Sequence, residues 1–330
     1  MPRILALIIT ALVAFGPLAT RPVFAQSQAP TQLTEIGVSS VGPGAPEWGL
    51  YIAEEKGFFA REGLKITETT AGNVQNCVNA LVTGDVPFAI LASDIVIAAS
   101  ARNLPIKYIA PLITIPTYQL VVRPEIKTWA DLRGKVVLVT NKQDITAISF
   151  RRMAEAQHLD WERDFDIILS GTSQLRTTAL IAGNAQGAIL TQPYDVYAQR
   201  QGMHVLAHAS DVMHDWISNG LAVNPTWAAT HHAEIVKFLH ALRLATKYGY
   251  DHPAEAVAVM ATKLKVDLSD AQISYNAIFG KNGMSRDLIV NERGLQNVID
   301  GVVQMGTMPA PIPLSGLVDA SFARDPAGKI

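Results

Sequence analysis

Laid against itself with an offset of 99 positions, the chain repeats a strand-turn-helix pattern. Gly72-Asn73-Val74-Gln75 falls on Gly171-Thr172-Ser173-Gln174, and Ala80-Leu81-Val82-Thr83-Gly84 on Ala179-Leu180-Ile181-Ala182-Gly183. Ala89-Ile90-Leu91 falls on Ala188-Ile189-Leu190. Helix formers, glycines that close helices and β-branched strand residues would give part of this likeness by physics alone. With either origin, the chain has to build two similar α/β lobes.

Apolar segments of strand length alternate with longer helical ones. Strands are expected at Thr34–Val38, Leu64–Thr69, Pro87–Leu91 and Ile106–Ile113, with helices at Pro46–Ala60, Asn73–Thr83 and Asp94–Arg102. The pattern restarts with strands Lys135–Val139, Phe165–Leu169 and Gly187–Leu190, and with helices Asp144–Gln157, Ser173–Ala182 and Pro193–Gln201. Such alternation predicts doubly wound sheets, largely parallel and covered on both faces. The C-terminal third reads as helices Ala233–Tyr248, Pro253–Lys263, Ser269–Phe279 and Arg286–Gln304, with Asp251, Asp267 and Ser285 as caps. Two extended apolar stretches, Thr117–Arg123 and Trp216–Val223, are separated by one whole lobe. The chain is therefore expected to cross over, build lobe two (121–220) and cross back, leaving lobe one discontinuous (33–120 and 221–330).

The first residues have an export pattern: a basic start at Arg3, an apolar run from Ile4 to Ala19, and small residues before a cut after Ala25. That run falls short of the about 20 apolar residues of a membrane span. With residues 1–25 read as a cleaved signal, the mature protein is expected to be soluble in the periplasm. No Cys follows the cut, so no lipid anchor is expected. Loss of Arg3 and Arg21 leaves 25 basic against 29 acidic residues, a net of −4. That balance lacks the concentrated basic surface that nucleic acid binding needs. Cys77 is the only thiol, so a large apolar core has to replace disulfides, and a monomer is expected.

The segment Glu47–Glu62, EWGLYIAEEKGFFARE followed by Gly-Leu-Lys-Ile, resembles the substrate-binding proteins of ABC importers in the sulfonate, taurine, nitrate and thiamine-precursor (NMT1/THI5-like) group. Ala80–Asp85 leading into Phe88-Ala89-Ile90, Thr128–Lys135, the Ile217–Val223 strand and His252-Pro253-Ala254-Glu255 carry the same resemblance. It extends over about residues 33 to 265. The resemblance implies a type II periplasmic-binding-protein fold: two doubly wound α/β lobes joined by two crossing strands. It also implies a small-molecule ligand, an ABC permease as partner and no cofactor.

In open parallel sheets, ligands collect beyond the strand C-termini, where loops lead into helix N-termini. This rule selects Ser39, Ser40, Glu47, Trp48, Asn73, Ser93 and Asp94 in lobe one. In lobe two it selects Asn141, Gln143, Thr146, Thr172, Gln192 and Tyr194, and the crossing strands add Thr117 and Asn219. The repeat pairs Asn73 with Thr172 and Ser93 with Gln192. Asn73, Thr172, Ser93 and Asp94 serve equally well as helix caps, and Trp48 as a packing residue. Glu47, Asp94, Asp144 and Asp195 lie near the expected cleft mouth with Lys142 as the one nearby cation, which favours an amine, a heterocycle or a zwitterion over a bare inorganic anion. Helix N-termini, however, attract anions without arginines.

The hydrolase, metalloprotease, P-loop and dinucleotide motifs are all missing from the sequence. Cys77 stands apart from any cysteine-rich iron motif of the related pyrimidine synthases. Binding without conversion is therefore expected over catalysis. His204, His208, His214, His231 and His232 raise the possibility of zinc, but their spacing alone does not bring three or four ligands together. Metal analysis of the purified mature protein is expected to find no stoichiometric metal; one zinc per chain would overturn this reading.

Overall fold

A strand whose successive side chains are all apolar leaves neither face of its sheet free for water. Phe88-Ala89-Ile90-Leu91 and Gly187-Ala188-Ile189-Leu190 are such segments, buried at every position. The structure is a computed structural model in which residues 33–325 are described; the expected export signal lies outside the described residues. The first part contains β1 (Thr34–Ser40), α1 (Trp48–Glu55), α2 (Phe58–Arg61), β2 (Leu64–Thr70), α3 (Val74–Thr83), β3 (Phe88–Ala92), α4 (Ser93–Ala101) and β4 (Lys107–Ile113). The second contains β5 (Gln119–Val122), α5 (Trp129–Leu132), β6 (Val136–Val139), α6 (Ile145–Glu155), β7 (Asp166–Leu169), α7 (Ser173–Ile181), β8 (Gly187–Leu190), α8 (Tyr194–Arg200) and β9 (His204–His208). The last begins with β10 (Asn219–Val223) and continues through α9 (Pro225–Ala228), α10 (His232–Asp251), α11 (Pro253–Leu264), α12 (Leu268–Ile278), α13 (Glu292–Gln304), α14 (Leu314–Leu317) and α15 (Ser321–Arg324). Among the described residues, no helix is long and apolar enough to cross a membrane.

The strands form two five-stranded sheets, ordered β2-β1-β3-β10-β4 and β7-β6-β8-β5-β9. Each has a parallel trio and one antiparallel insert: β10 between β3 and β4, and β5 between β8 and β9. The offset of 99 thus maps β3 onto β8 and α3 onto α7 at matching places. Gln119 and Leu120 pair within the second sheet, and Asn219 and Gly220 within the first.

Period-two alternation divides each strand between two cores. In the first sheet Val38, Phe88, Ile90 and Leu221 face α1, α10 and α11, whereas Ala89, Leu91 and Ala222 face α4 and α13. In the second, Leu120, Val137 and Ile189 face α6, and Val121, Leu138 and Leu190 face α7 and α8.

Several local expectations are corrected. The helix expected over 46–60 breaks at Gly57, whose φ of 66° closes α1 and lets Phe58 and Phe59 turn into the core. The helix expected from Arg286 begins only at Glu292, because Leu288 has a positive φ of 58° and Asn291 is the cap, accepting from the Gly294 N–H. Asp251 is the last residue of α10, not a cap. Asp267 stands at the N-cap of α12 but its side chain makes no cap bond there, and Ser285 lies in a loop with its N–H bonded to the Leu112 carbonyl.

Gly220, the second residue of β10, is a site of close approach: a Cβ there would lie 2.2 Å from the Tyr108 ring, itself fully buried on β4. Gly220→Ala is expected to destabilise the protein by about 1–3 kcal/mol through overpacking, measurable as a lowered urea midpoint.

Candidate functional site

The C-terminal ends of the parallel strands in both sheets open onto one cavity of about 100 Å³. The first lobe contributes the β1–α1 loop from Val41 to Glu47, Val74, Ile90 to Ala92, Ile95 and Asn219. Its other wall comes from Thr140, Asp144, Ile145, Gly171 to Ser173, Arg176, Thr191 and Tyr194, with Tyr118 on the crossing segment. The walls touch at the rim. Tyr194 Oη donates to the Pro43 carbonyl at 3.3 Å, and a Cβ on Gly171 would stand 3.1 Å from the Gly72 carbonyl oxygen. Outside the cavity Arg200 of α8 is ion-paired with Asp270 of α12 and donates to Ser269, while Arg152 of α6 donates to Gln304 of α13.

Of the residues singled out in the sequence, Glu47, Thr172, Tyr194 and Asn219 line this cavity. The rest have other places. Trp48 is fully buried in the core, its Nε1 donating to the Ala256 carbonyl at 2.9 Å and its ring edge-on to Tyr275 and Phe279; it is a packing residue. Asn73 and Thr172 both cap their helices, accepting from the N–H groups of Asn76 and Leu175. Ser93 and Asp94 follow the cap position, which Ala92 occupies; Ser93 Oγ lies 3.3 Å from Tyr108 Oη. Ser39 is buried, and Ser40 donates to Glu68. Asn141 and Gln143 are exposed, bonded to each other through the Gln143 N–H, and Thr146 donates to Asp144. Thr117 and Gln192 line a separate groove beside the crossing segments, together with His208 and His214. Among the described residues no group of three or more His, Cys, Asp or Glu side chains could hold a metal ion.

Arg176 is the functional candidate that sequence reasoning missed. The exposed Lys142 is not the cation of the cleft; Arg176 is, at 2 % exposure. Its Nε donates to the Ile189 carbonyl at 2.8 Å, Nη1 to Thr140 Oγ1 and to the carbonyls of Ser170 and Gly171, and Nη2 to Ser173 Oγ. Burial lowers its pKa, and Asp144 opposes that shift. The offset of 99 lays Arg176 on Cys77, and the two residues enter their lobes from equivalent turns of α7 and α3, but a cysteine at the matching place gives no sign of a buried cation.

Burial raises the pKa of every carboxyl at this mouth. For Asp144 the rise is opposed by Thr146 and Arg176. Burial and then repulsion from Asp144 push Asp94 well up, although the N–H groups of Ile95 and Ile145 face it. Glu47, 2 % exposed, is likewise pushed well up by burial and then by Glu68. A mouth of this kind can hold a small molecule against the two buried carboxyls that line it, Glu47 and Asp144, and several hydroxyls, beside a guanidinium already engaged by its own lobe.

The NMT1/THI5-like family model matches residues 47–256. A Bacillus subtilis protein, YtlA, named only as a candidate binding protein, is 23% identical over 302 residues, covering 88% of this chain and 89% of its own. The periplasmic aliphatic sulphonate binding protein SsuA of Escherichia coli superposes with a TM-score of 0.67 at 17% identity, covering 87% of this chain and 92% of its own. The periplasmic nitrate-binding protein NrtA of Synechocystis PCC 6803 gives 0.73 at 14% identity, covering 89% and 88%. The fold is the periplasmic-binding-protein fold.

Asp195, at the start of α8, accepts from Gln119 at 2.7 Å and Gln192 at 3.2 Å. Burial, with Asp270 adding repulsion, pushes its carboxyl up to about 7. The native state then binds more protons than the unfolded chain between pH 3.8 and about 7, so stability falls as pH rises through that window. Asp195→Asn keeps an acceptor for Gln119. It is expected to exceed the wild type by on the order of 2–4 kcal/mol at pH 8 and to show no such gain near pH 3, as read by urea unfolding at both.

Proposed function

The chain belongs to the NMT1/THI5-like family, and on that premise we propose that it is a solute-binding protein of an ABC-type importer. It captures a small organic solute between the lobes (33–120 with 221–330, and 121–220), closes over it, and hands it to a permease without converting it. The observation that carries this reading is the cavity walled by both lobes and closed at its rim by Tyr194 and Pro43. In this reading Glu47, Thr172, Tyr194 and Asn219, together with Thr140, Asp144 and Arg176, contact the solute. The protein works as a monomer in the periplasm after cleavage near Ala25. Sulphonate and nitrate are what SsuA and NrtA bind; aliphatic sulfonates, nitrate-like anions, aromatic carboxylates and heterocycles form the set to screen here.

Motion in such a molecule is confined to the segments where the chain changes sheet, 114–118 and 209–218. The Arg200–Asp270 and Arg152–Gln304 contacts span the lobes and favour the closed form. Small-angle scattering is expected to show compaction with the solute that thermal-shift screening selects. Arg152→Ala/Arg200→Ala should weaken its apparent affinity several-fold by depopulating the closed state. Turnover of that solute by the pure protein, or binding without compaction, would count against the proposal.

A further inference from the structure

Asp144 and Arg176 act on each other in the second-lobe wall of the cavity. Glu47, in the first-lobe wall, has no such partner. Its Oε2 is buried without a hydrogen bond; the N–H groups of Gly44 and of Glu47 itself face the carboxyl and partly offset its burial, and the neighbouring charge that acts on it is Glu68, of like sign. Glu68 is itself engaged with Ser40 at 3.0 Å. Glu47 stands at the N-cap of α1 but makes no side-chain cap bond there, so helix capping does not explain it. A buried carboxylate without a counter-charge is expensive to keep, and a ligand that brings the counter-charge removes the expense.

We propose that the cleft is built for a solute that presents a protonated nitrogen to Glu47, an organic cation or the cationic end of a zwitterion, and not for a simple anion. The inference rests on the solute-binding reading above and names its ligand class. Arg176 does not contradict it, because its guanidinium already donates to three carbonyls and two hydroxyls of its own lobe.

The side chains facing Glu47 are Glu68 of β2, Tyr51 of α1, Cys77 of α3, Tyr118 of the crossing segment and Tyr194 of α8. None of them supplies a positive charge. Burial favours the protonated acid, so a cation that binds the ionised form releases a proton. Affinity therefore falls as pH falls through the raised range of the carboxyl.

The test compares methylguanidinium and ethanolamine with ethanesulfonate and nitrate, at equal millimolar concentrations, by thermal shift and calorimetry on wild type and Glu47→Gln. The cations are expected to raise Tm and the anions to leave it unchanged. Glu47→Gln should fold with equal or greater stability at pH 8, bind the cations roughly 10- to 100-fold more weakly, and lose the pH dependence of binding. Stabilisation by an anion but not by a cation overturns the assignment and leaves the solute-binding reading standing. Equal cation binding by both proteins also overturns the assignment, and no response to any probe overturns it together with that reading.

Discussion

Each sheet is completed by a strand that comes, in chain order, from next to the other sheet. β5 follows β4 of the first sheet yet sits between β8 and β9, and β10 follows β9 of the second yet sits between β3 and β4. The second lobe is thus one continuous stretch, β5 to β9, whereas the first is completed only when the chain returns as β10, and a gap in a sheet whose two faces are both apolar is not an option. The lobes are therefore bound to each other by two short segments, while each remains rigid. The two crossings turn the C-terminal ends of both parallel trios toward one cavity. Glu47, after β1, and Thr140, after β6, reach it from equivalent positions.

Much of this frame was legible in the residues. The offset of 99 and the unbroken apolar runs at Phe88–Leu91 and Gly187–Leu190 encode the matched sheets directly, because strand burial is a local, periodic property. Local breaks were harder to read. Gly57 interrupts a segment whose apolar spacing continues on either side, and only its left-handed backbone separates α1 from α2. Leu288 adopts a positive φ that its side chain disfavours, so nothing in its residue type announces that α13 starts late. Trp48 looks like a ligand platform by its place after β1. Its Nε1 finds a backbone carbonyl 208 positions away, a contact that sequence spacing does not encode.

The candidate site was legible in its loops but only partly in its residues. The rule that ligands gather beyond strand ends chose segments that border the cavity, and four of the fifteen selected side chains line it. Arg176 escaped because it lies one turn inside α7, where helical spacing reads as structure. Its burial is made possible by acceptors that the fold supplies: the carbonyls of Ser170, Gly171 and Ile189 are free at the ends of β7 and β8 to take its N–H groups. An arginine on an exposed turn and an arginine in this socket look the same in a sequence.

Polar residues at helix starts have two competing explanations, and the structure separates them by what each side chain bonds. Asn73, Thr172 and Asp144 accept from N–H groups in the first turn of α3, α7 and α6, so capping accounts for their position. Thr172 and Asp144 line the cavity as well, which makes them poor guides to function on their own. Glu47 is different: it holds the same kind of position before α1, is equally buried, and bonds no first-turn N–H with its side chain. A buried acid that stabilises neither its helix nor an ion pair raises the energy of the folded state. Glu47, which caps no helix, pairs with no opposite charge and lines the cavity, is therefore a residue whose carboxyl a partner from outside the chain can stabilise.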